Sequence, residues 1–173
     1  MPAYQPYWCE ENIWHLAGDP AVGDGERVVV FCSGVDGHVA CWHQRAAPAG
    51  EAVVWDYHVV LAVGGRGDWR IWDLDSRLGC PLPALTWLAG TFLMPAGLPP
   101  RLAPRFLPVP AAAFRGEFAS DRAHMRTACG GWQQPPPPWP AITGGGVPMR
   151  TYLGRARRGI ERDALAVLWS RDG

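Results

Sequence analysis

The sequence contains no lysine: all 16 of its basic residues are arginine, and 16 acidic residues bring the formal net charge to zero. A chain without excess positive charge has no global field to attract nucleic acid or an anionic membrane surface. We therefore expect neither nucleic acid nor a membrane as a partner. The absence of lysine indicates a compositional bias of the source genome, since no single site could require it.

Long hydrophobic runs are also absent, and no stretch of the sequence is apolar for long enough to span a bilayer. Residues 1–8 lack the basic region and apolar run of a secretory signal. The five cysteines are odd in number and have no regular spacing, which fits reduced thiols better than a disulfide framework. These features predict a cytoplasmic protein.

Few residues suggest a metal site. His38, Cys41 and His43 lie close together in the sequence, but strand-like alternation and the lack of a second ligand pair argue against zinc. With 173 residues, of which 48% are hydrophobic, the chain can bury a core without metal or disulfides. We expect a single catalytic domain over residues 1–173, a monomer, with no metal.

Two segments rich in β-branched and aromatic residues, 53–63 and 68–75, flank a glycine-rich turn and predict a β-hairpin. A two-residue loop at Gly65-Arg66 would place His58 directly opposite Asp73 on one face of the sheet. Opposed side chains lie about 5 Å apart at Cβ, so the carboxylate could fix the tautomer of the imidazole. The alternative is an edge hairpin whose polar residues face water.

The same register sets Asp56 opposite Asp75, also on the face that carries His58. Asp75 is then a second carboxylate that could orient the imidazole, at a diagonal distance of about 7 Å. A loop longer or shorter by one residue would place the two side chains on opposite faces unless a bulge restored the register, so this inference depends on the turn.

A short helix is predicted to begin near Cys9, where Glu10 and Glu11 supply acidic residues in the first turn. A thiol at a helix N-terminus is stabilised as the thiolate by the helix dipole, and nearby N–H groups could bind an oxyanion. Cys9 is therefore a candidate nucleophile. The alternative is that it is a small buried hydrophobic residue.

The remaining pattern predicts an antiparallel sheet with flanking helices. The predicted elements are a hairpin of strands 27–32 and 38–42 that continues into a four-stranded meander, a helix at 84–94, an extended surface segment at 95–110, a helical turn at 111–118, a turn at 122–125 capped by Ser120-Asp121, a stiff polyproline wall at 132–140 and a last strand at 164–169. His124 is a rival base, although a structural hydrogen bond to the carboxylate three residues away, Asp121, explains it more simply. Together Cys9, His58 and Asp73 meet the sequence requirements of a Cys-His-Asp triad in an α+β fold, with the chain order and element types of papain-like and transglutaminase-like enzymes.

A closer resemblance covers nearly the whole chain. The sequence resembles the protein N-terminal glutamine amidohydrolases, the family named for its WDYHV motif, in blocks at residues 8–14, 53–61, 73–75, 118–125 and 132–140. These blocks run in family order. Their agreement is weakest at residues 84–105 and at the C-terminal end.

The resemblance implies removal of ammonia from the side-chain amide of an N-terminal glutamine, on a transglutaminase-like α+β fold without a cofactor. It implies Cys9 as nucleophile, His58 as base and Asp73 as orienting carboxylate. A substrate with a free α-ammonium group needs a carboxylate nearby, and a rigid wall could select glutamine over asparagine. The candidates for substrate binding are Glu10, Glu11, Trp55, Asp56, Asp75 and Asp121.

Other functions fit the same residues. A transglutaminase-like acyl transferase or a cysteine peptidase could use the same triad, since the choice depends on the acceptor and the pocket. A non-enzymatic module that binds peptides through the proline- and tryptophan-rich segment is a further alternative.

Overall fold

A computed structural model describes residues 3–170 of the chain. The helices are α1 (Cys9–Leu16), α2 (Ala84–Thr91), α3 (Ala111–Glu117), α4 (Met149–Ala156) and α5 (Arg162–Ser170). The strands are β1 (Glu26–Ser33), β2 (Val39–Trp42), β3 (Ala52–Trp55), β4 (His58–Gly65), β5 (Asp68–Trp72), β6 (Leu82–Pro83), β7 (Arg105–Pro110), β8 (Phe118–Ala119), β9 (Val147–Pro148) and β10 (Ile160–Glu161). The predicted α+β class is confirmed.

The main sheet has six antiparallel strands in the order β10, β7, β1, β4, β5, β6. β1 and β4 lie at its centre and bury successive residues on both faces, because helices cover the sheet on either side. One core cluster joins Val59 and Leu61 to Ile13 of α1, Phe114 of α3 and Tyr152 of α4. On the other face, a second cluster includes residues of α2, α5 and β2.

The predicted hairpin between residues 27–32 and 38–42, and with it the four-stranded meander, is wrong. β1 pairs with β4 and β7, whereas β2 pairs with β3 in a separate two-stranded sheet. The physical reason is length: β4 offers β1 a ladder of seven residue pairs from Glu26 to Cys32, which the four-residue β2 cannot match. The segment 53–63 is accordingly two strands, broken at Asp56-Tyr57.

The register predicted for the hairpin of β4 and β5 is also wrong. Arg66 and Gly67, both with positive φ (48° and 80°), form its two-residue loop, and Leu61 pairs with Trp72. This loop lies one residue later than the predicted Gly65-Arg66. Both arms move by one residue together, so the side chains that were expected to share a face still do.

Two predictions for the second half of the chain are wrong. Residues 105–110 form the inner strand β7, where Phe106 and Val109 are buried, instead of extended surface chain. Residues 164–169 lie in α5, because the buried pair Leu165 and Trp169 has helical spacing while Val167 between them is 47% exposed. The helices predicted at Cys9, at 84–94 and at 111–118 are present, the second one ending at Thr91.

Candidate active site

Cys9 is the first residue of α1 and is half-buried. The chain entering this helix is held by Asn12, whose side chain accepts a hydrogen bond from the backbone N–H of Gln5 and donates one to its carbonyl, each at 2.8 Å. Trp8 occupies the N-cap position without a side-chain cap, and its indole N–H instead donates to the carbonyl of Pro135 at 2.9 Å. The nucleophile candidate therefore stands on a fixed helix start.

His58 is the first residue of β4 and is 2% exposed. Its Nε2 lies 2.9 Å from Oδ1 of Asp73, which follows the end of β5 and is 1% exposed. The face shared by the two side chains is the one that the sequence predicts. Because Nε2 is engaged by the carboxylate, Nδ1 is the ring nitrogen left to exchange a proton.

Asp73 is held on every side. Its Oδ1 also accepts the backbone N–H of Asp75 at 3.1 Å, while Oδ2 accepts hydrogen bonds from Gln44 Nε2 at 3.1 Å and Trp87 Nε1 at 2.9 Å. Burial alone would raise the pKa of Asp73, but the charge and hydrogen bond of His58 and the bonds from Trp87 and Gln44 lower it. The carboxylate is therefore fixed in place and ionised.

The same neighbours act on His58. Burial disfavours the imidazolium, but the charge and hydrogen bond of Asp73 and the charge of Asp75 outweigh burial and raise the pKa of His58. For the Cys9 thiol, burial and the charges of Glu10 and Asp75 raise the pKa well above its ordinary value, and a hydrogen bond from the Val59 backbone opposes them. Both pKa shifts favour the protonated forms of the thiol and of the imidazole, which line the same cavity.

Glu10 lies behind the thiol and is fully buried. Its Oε2 is 3.7 Å from Cys9 Sγ and accepts the hydroxyl of Tyr57 at 3.0 Å, and Oε1 is 3.3 Å from Nε2 of His124. The Tyr57 hydroxyl is also 3.0 Å from His124 Nε2. His124 is therefore held by Glu10 and Tyr57, whereas the carboxylate predicted as its partner, Asp121, accepts the backbone N–H of Ala123 instead.

Glu11 belongs to a buried structural network. Its carboxylate forms two hydrogen bonds with the guanidinium of Arg122, at 2.8 and 2.7 Å, and accepts the Ser120 hydroxyl at 2.7 Å and Trp139 Nε1 at 2.9 Å. These contacts fasten α1 to the segments that follow β8. They leave Glu11 fully buried and outside the lining of the cavity, which argues against its predicted contact with substrate.

A cavity of about 520 Å³ opens at Cys9 and His58. Trp55, which the sequence singles out as a wall, lines it and stacks nearly parallel to the His58 ring, with centroids 6.5 Å apart. Gln133 and Gln134 of the predicted wall 132–140 line its other side.

The other acidic candidates differ in their positions. Asp56 and Asp75 line the cavity. Asp121 does not, and its side chain instead accepts the backbone N–H of Ala123 at 2.9 Å, as predicted for a cap.

Sequence reasoning missed the residues that support Asp73. Gln44 follows β2 and Trp87 lies in α2, and no local pattern connects either residue with β5. Tyr57 carried a signal, because it lies within the WDYHV motif, between Asp56 and His58. Arg122 lies in a matching block too, and its left-handed backbone (φ 57°) is uncommon for a residue other than glycine.

Within residues 3–170, the ligand atoms of His58, Asp73 and Asp75 lie within 4.8 Å of one another, close enough to suit a metal ion. Both oxygens of Asp73, however, already accept two hydrogen bonds each. The cluster is therefore organised for hydrogen bonding to the imidazole.

Among the helices of residues 3–170, none has both the length and the apolar character required to cross a membrane.

The fold and the site together define an α+β protein in which a thiol and a carboxylate-oriented imidazole face one cavity, the groups that a cysteine-dependent acyl-transfer enzyme uses. The sequence model of the N-terminal glutamine amidase family matches residues 4–154. The chain belongs to this family.

Relatives with assigned names support the same family membership. The chain is 37% identical over 147 residues to the protein N-terminal glutamine amidohydrolases of Bos taurus and Homo sapiens, covering 82% of this chain and 71% and 72% of those proteins. It is 34% identical over 149 residues to the Arabidopsis thaliana protein of the same name, covering 80% of this chain and 67% of that protein.

Proposed function

We propose that the protein hydrolyses the side-chain amide of an N-terminal glutamine, giving N-terminal glutamate and ammonia. The observation that carries the proposal is the placement of Cys9 and His58 on one cavity, with the imidazole fixed by Asp73 at 2.9 Å. Membership of the N-terminal glutamine amidase family and the names of the relatives support the substrate.

In the proposed mechanism, Nδ1 of neutral His58 takes the proton of the Cys9 thiol as sulfur attacks the amide carbon of the glutamine side chain. The raised pKa of Cys9 favours proton transfer together with attack over a preformed thiolate. The buried Asp73 carboxylate keeps the proton of neutral His58 on Nε2 and stabilises the imidazolium that forms.

The tetrahedral intermediate then loses ammonia, with His58 returning the proton to the leaving nitrogen, and a glutamyl thioester remains on Cys9. A water molecule, deprotonated by His58, attacks the thioester carbon, and the C–S bond breaks to regenerate the thiol. The sum is amide plus water giving carboxylic acid plus ammonia. The first N–H groups of α1, which lack intrahelical acceptors, are candidates for binding the oxyanion at both stages.

The cavity supports a peptide substrate over a free amino acid, because its lining extends from Cys9 past Trp55 to His38 and Arg157. The residues that follow the glutamine could lie along this extension. We further propose that the protein acts as a single catalytic domain and a monomer, in the cytoplasm, without a cofactor. The zero net charge and the absence of a disulfide between described cysteines are compatible with this setting.

Release of ammonia from three matched peptides tests the activity. We expect the Gln-initiated peptide to lose ammonia and gain the mass of a deamidated product, and the Asn-initiated and acetyl-Gln peptides to react far more slowly. Cleavage of the backbone would instead support a cysteine peptidase, and incorporation of an added amine would support a transglutaminase. Binding without turnover in the parent protein, retained in Cys9→Ala, would support a peptide-binding module.

Three variants test the residue roles. We expect Cys9→Ala and His58→Ala to abolish turnover, and Asp73→Asn to lower kcat by about 10⁴-fold, as in other triads where the imidazole loses its orienting carboxylate. Cys129→Ala, which removes an exposed thiol, is the matched control and should retain activity. Normal activity in any of the three variants would reassign that residue.

A further inference from the structure

We propose that Asp75 binds the α-ammonium group of the substrate and so restricts the enzyme to free N-termini. This inference rests on the proposed function and names the residue that recognises the chain end. Its basis is the geometry of the Asp75 carboxylate, its distance from the reacting groups and the different positions of the other acidic side chains.

One oxygen of the Asp75 carboxylate is hydrogen-bonded within the protein, and the other is not. Oδ1 accepts the hydroxyl of Tyr4 at 2.7 Å, whereas Oδ2 accepts no hydrogen bond from any residue between 3 and 170. Asp75 is 9% exposed and lines the cavity. Because Oδ2 makes no hydrogen bond within the described residues, it is free to accept one from an ammonium group, which donates up to three.

The distance to the reacting groups is suitable. Ligand atoms of Asp75, His58 and Asp73 lie within 4.8 Å of one another, so the Asp75 carboxylate is beside the base. In glutamine, four bonds of about 1.5 Å separate the side-chain amide carbon from the α-nitrogen, which limits their separation to about 5 Å. With the amide carbon at Cys9, the α-nitrogen lies within about 5 Å of it, in the cavity that Asp75 also lines.

The other acidic candidates fit the role less well. Glu11 is bound on both oxygens by Arg122, and Glu10 is fully buried beneath Tyr57 and His124. The Asp56 side chain lines the cavity but is 84% exposed, where water screens its charge, and its Oδ1 is 3.5 Å from His38.

A substrate pair isolates this contact. One peptide begins with glutamine, and the other begins with a 4-carbamoylbutanoyl group, which is the same residue without its α-amine. The ratio of kcat/KM for the two peptides measures what the ammonium group contributes. We expect Asp75→Asn to reduce this ratio about 10- to 100-fold, mainly by raising KM for the Gln peptide, while Asp56→Asn leaves the ratio as in wild type.

Tyr4→Phe provides a second variant in which the carboxylate remains but loses the hydroxyl that orients it. We expect the ratio to fall about threefold, as the loss of one hydrogen bond implies, and thermal unfolding should show that the variant remains folded. If Asp75→Asn lowers kcat/KM equally for both peptides, Asp75 acts only through His58 and the proposal is overturned. A loss of the ratio in Asp56→Asn would transfer the role to that residue, whereas a wild-type protein inactive on both peptides would reject the proposed function itself.

Discussion

Trp87 donates its indole N–H to Oδ2 of Asp73 at 2.9 Å, from a helix on the opposite face of the main sheet to Cys9. The Asp73 carboxylate is therefore positioned by one layer of the fold and the Cys9 thiol by the other. His58, at the start of β4, is where the two layers meet. The geometry of the site thus depends on the packing of α2 as well as on α1.

Trp87→Phe tests this dependence. The substitution preserves an aromatic ring in the core but leaves Oδ2 with Gln44 as its remaining side-chain donor. Because a buried acceptor that loses a donor costs about 1–3 kcal/mol, we expect kcat to fall about 10-fold or more, with a loss of stability of about 1–3 kcal/mol. Steady-state kinetics and urea unfolding measure the two effects.

Trp169→Phe is the matched control, because Trp169 is buried against Trp87 at a centroid distance of 6.1 Å and makes no hydrogen bond to Asp73. It should lose comparable stability and keep its kcat. Equal losses of kcat in the two variants would attribute the effect of Trp87 to packing alone.

The dependence of activity on pH follows from His58. In the proposed mechanism the neutral imidazole is the base, and its pKa is raised above the ordinary 6.5, so kcat/KM should increase with pH through a value above 6.5. The substrate α-ammonium group loses its proton at a pKa of about 8, so kcat/KM for the Gln peptide should decrease again above that pH. A pH profile with both the Gln peptide and the 4-carbamoylbutanoyl peptide checks this, since the second should keep only the acid limb.

The acid limb has a further test. The charge of Asp75 helps to raise the pKa of His58, so Asp75→Asn should move the acid limb to lower pH. A limb that stays in place would show that a group other than His58 controls it.

Glu10→Gln should lower the pKa of the Cys9 thiol. Glu10 is the nearest carboxylate to Sγ, at 3.7 Å, and its negative charge disfavours the thiolate. The rate of alkylation of Cys9 by iodoacetamide, followed by mass spectrometry of the Cys9 peptide, should therefore reach its half-maximum at lower pH than in wild type. Glu161→Gln, at an exposed carboxylate remote from the thiol, should leave the alkylation profile unchanged, and a shift to higher pH in Glu10→Gln would contradict the assignment.

Glu11→Gln should destabilise the fold. The change leaves the Arg122 guanidinium buried without a negative partner, and breaking a buried ion pair in this way costs about 3–5 kcal/mol. The free energy of unfolding in urea measures the loss. Glu161→Gln again serves for comparison: it removes a pair with Arg105 in which the Glu161 side chain is 70% exposed, and should cost less than about 1 kcal/mol.

Part of the site could be predicted because its signals are local. The acids following Cys9 indicate a helix start, and the glycine-rich turn between two β-branched segments indicates a hairpin. The register of that hairpin was wrong, yet His58 and Asp73 still share a face because both arms moved together. Moving the loop by one residue along both arms changes each cross-strand partner by two positions. Residues that were predicted to share a face of the sheet therefore still share it.

The rest of the site depends on contacts between segments far apart in the chain. Gln44 and Trp87 reach Asp73 from a loop and a helix that carry no pattern pointing to it. The short apolar run at 164–169 suited either a strand or a helix, and its packing against α2 decides for the helix. β7 was missed because Pro108 and Pro110 suggested surface chain, but they lie beyond the two residues that pair with β10, where β7 is an edge strand.

The break at Asp56-Tyr57 places Trp55 in the two-stranded sheet and His58 in the six-stranded one. A five-residue motif therefore spans two sheets: Trp55, which lines the cavity, lies in the short hairpin of β2 and β3, and His58 lies at the start of a central strand of the main sheet. That hairpin is therefore the part of the chain to vary by directed evolution when the aim is to accept shorter or longer substrate side chains. A change at Trp55 can alter the cavity wall beside His58 while Gln44 and Trp87 still hold Asp73.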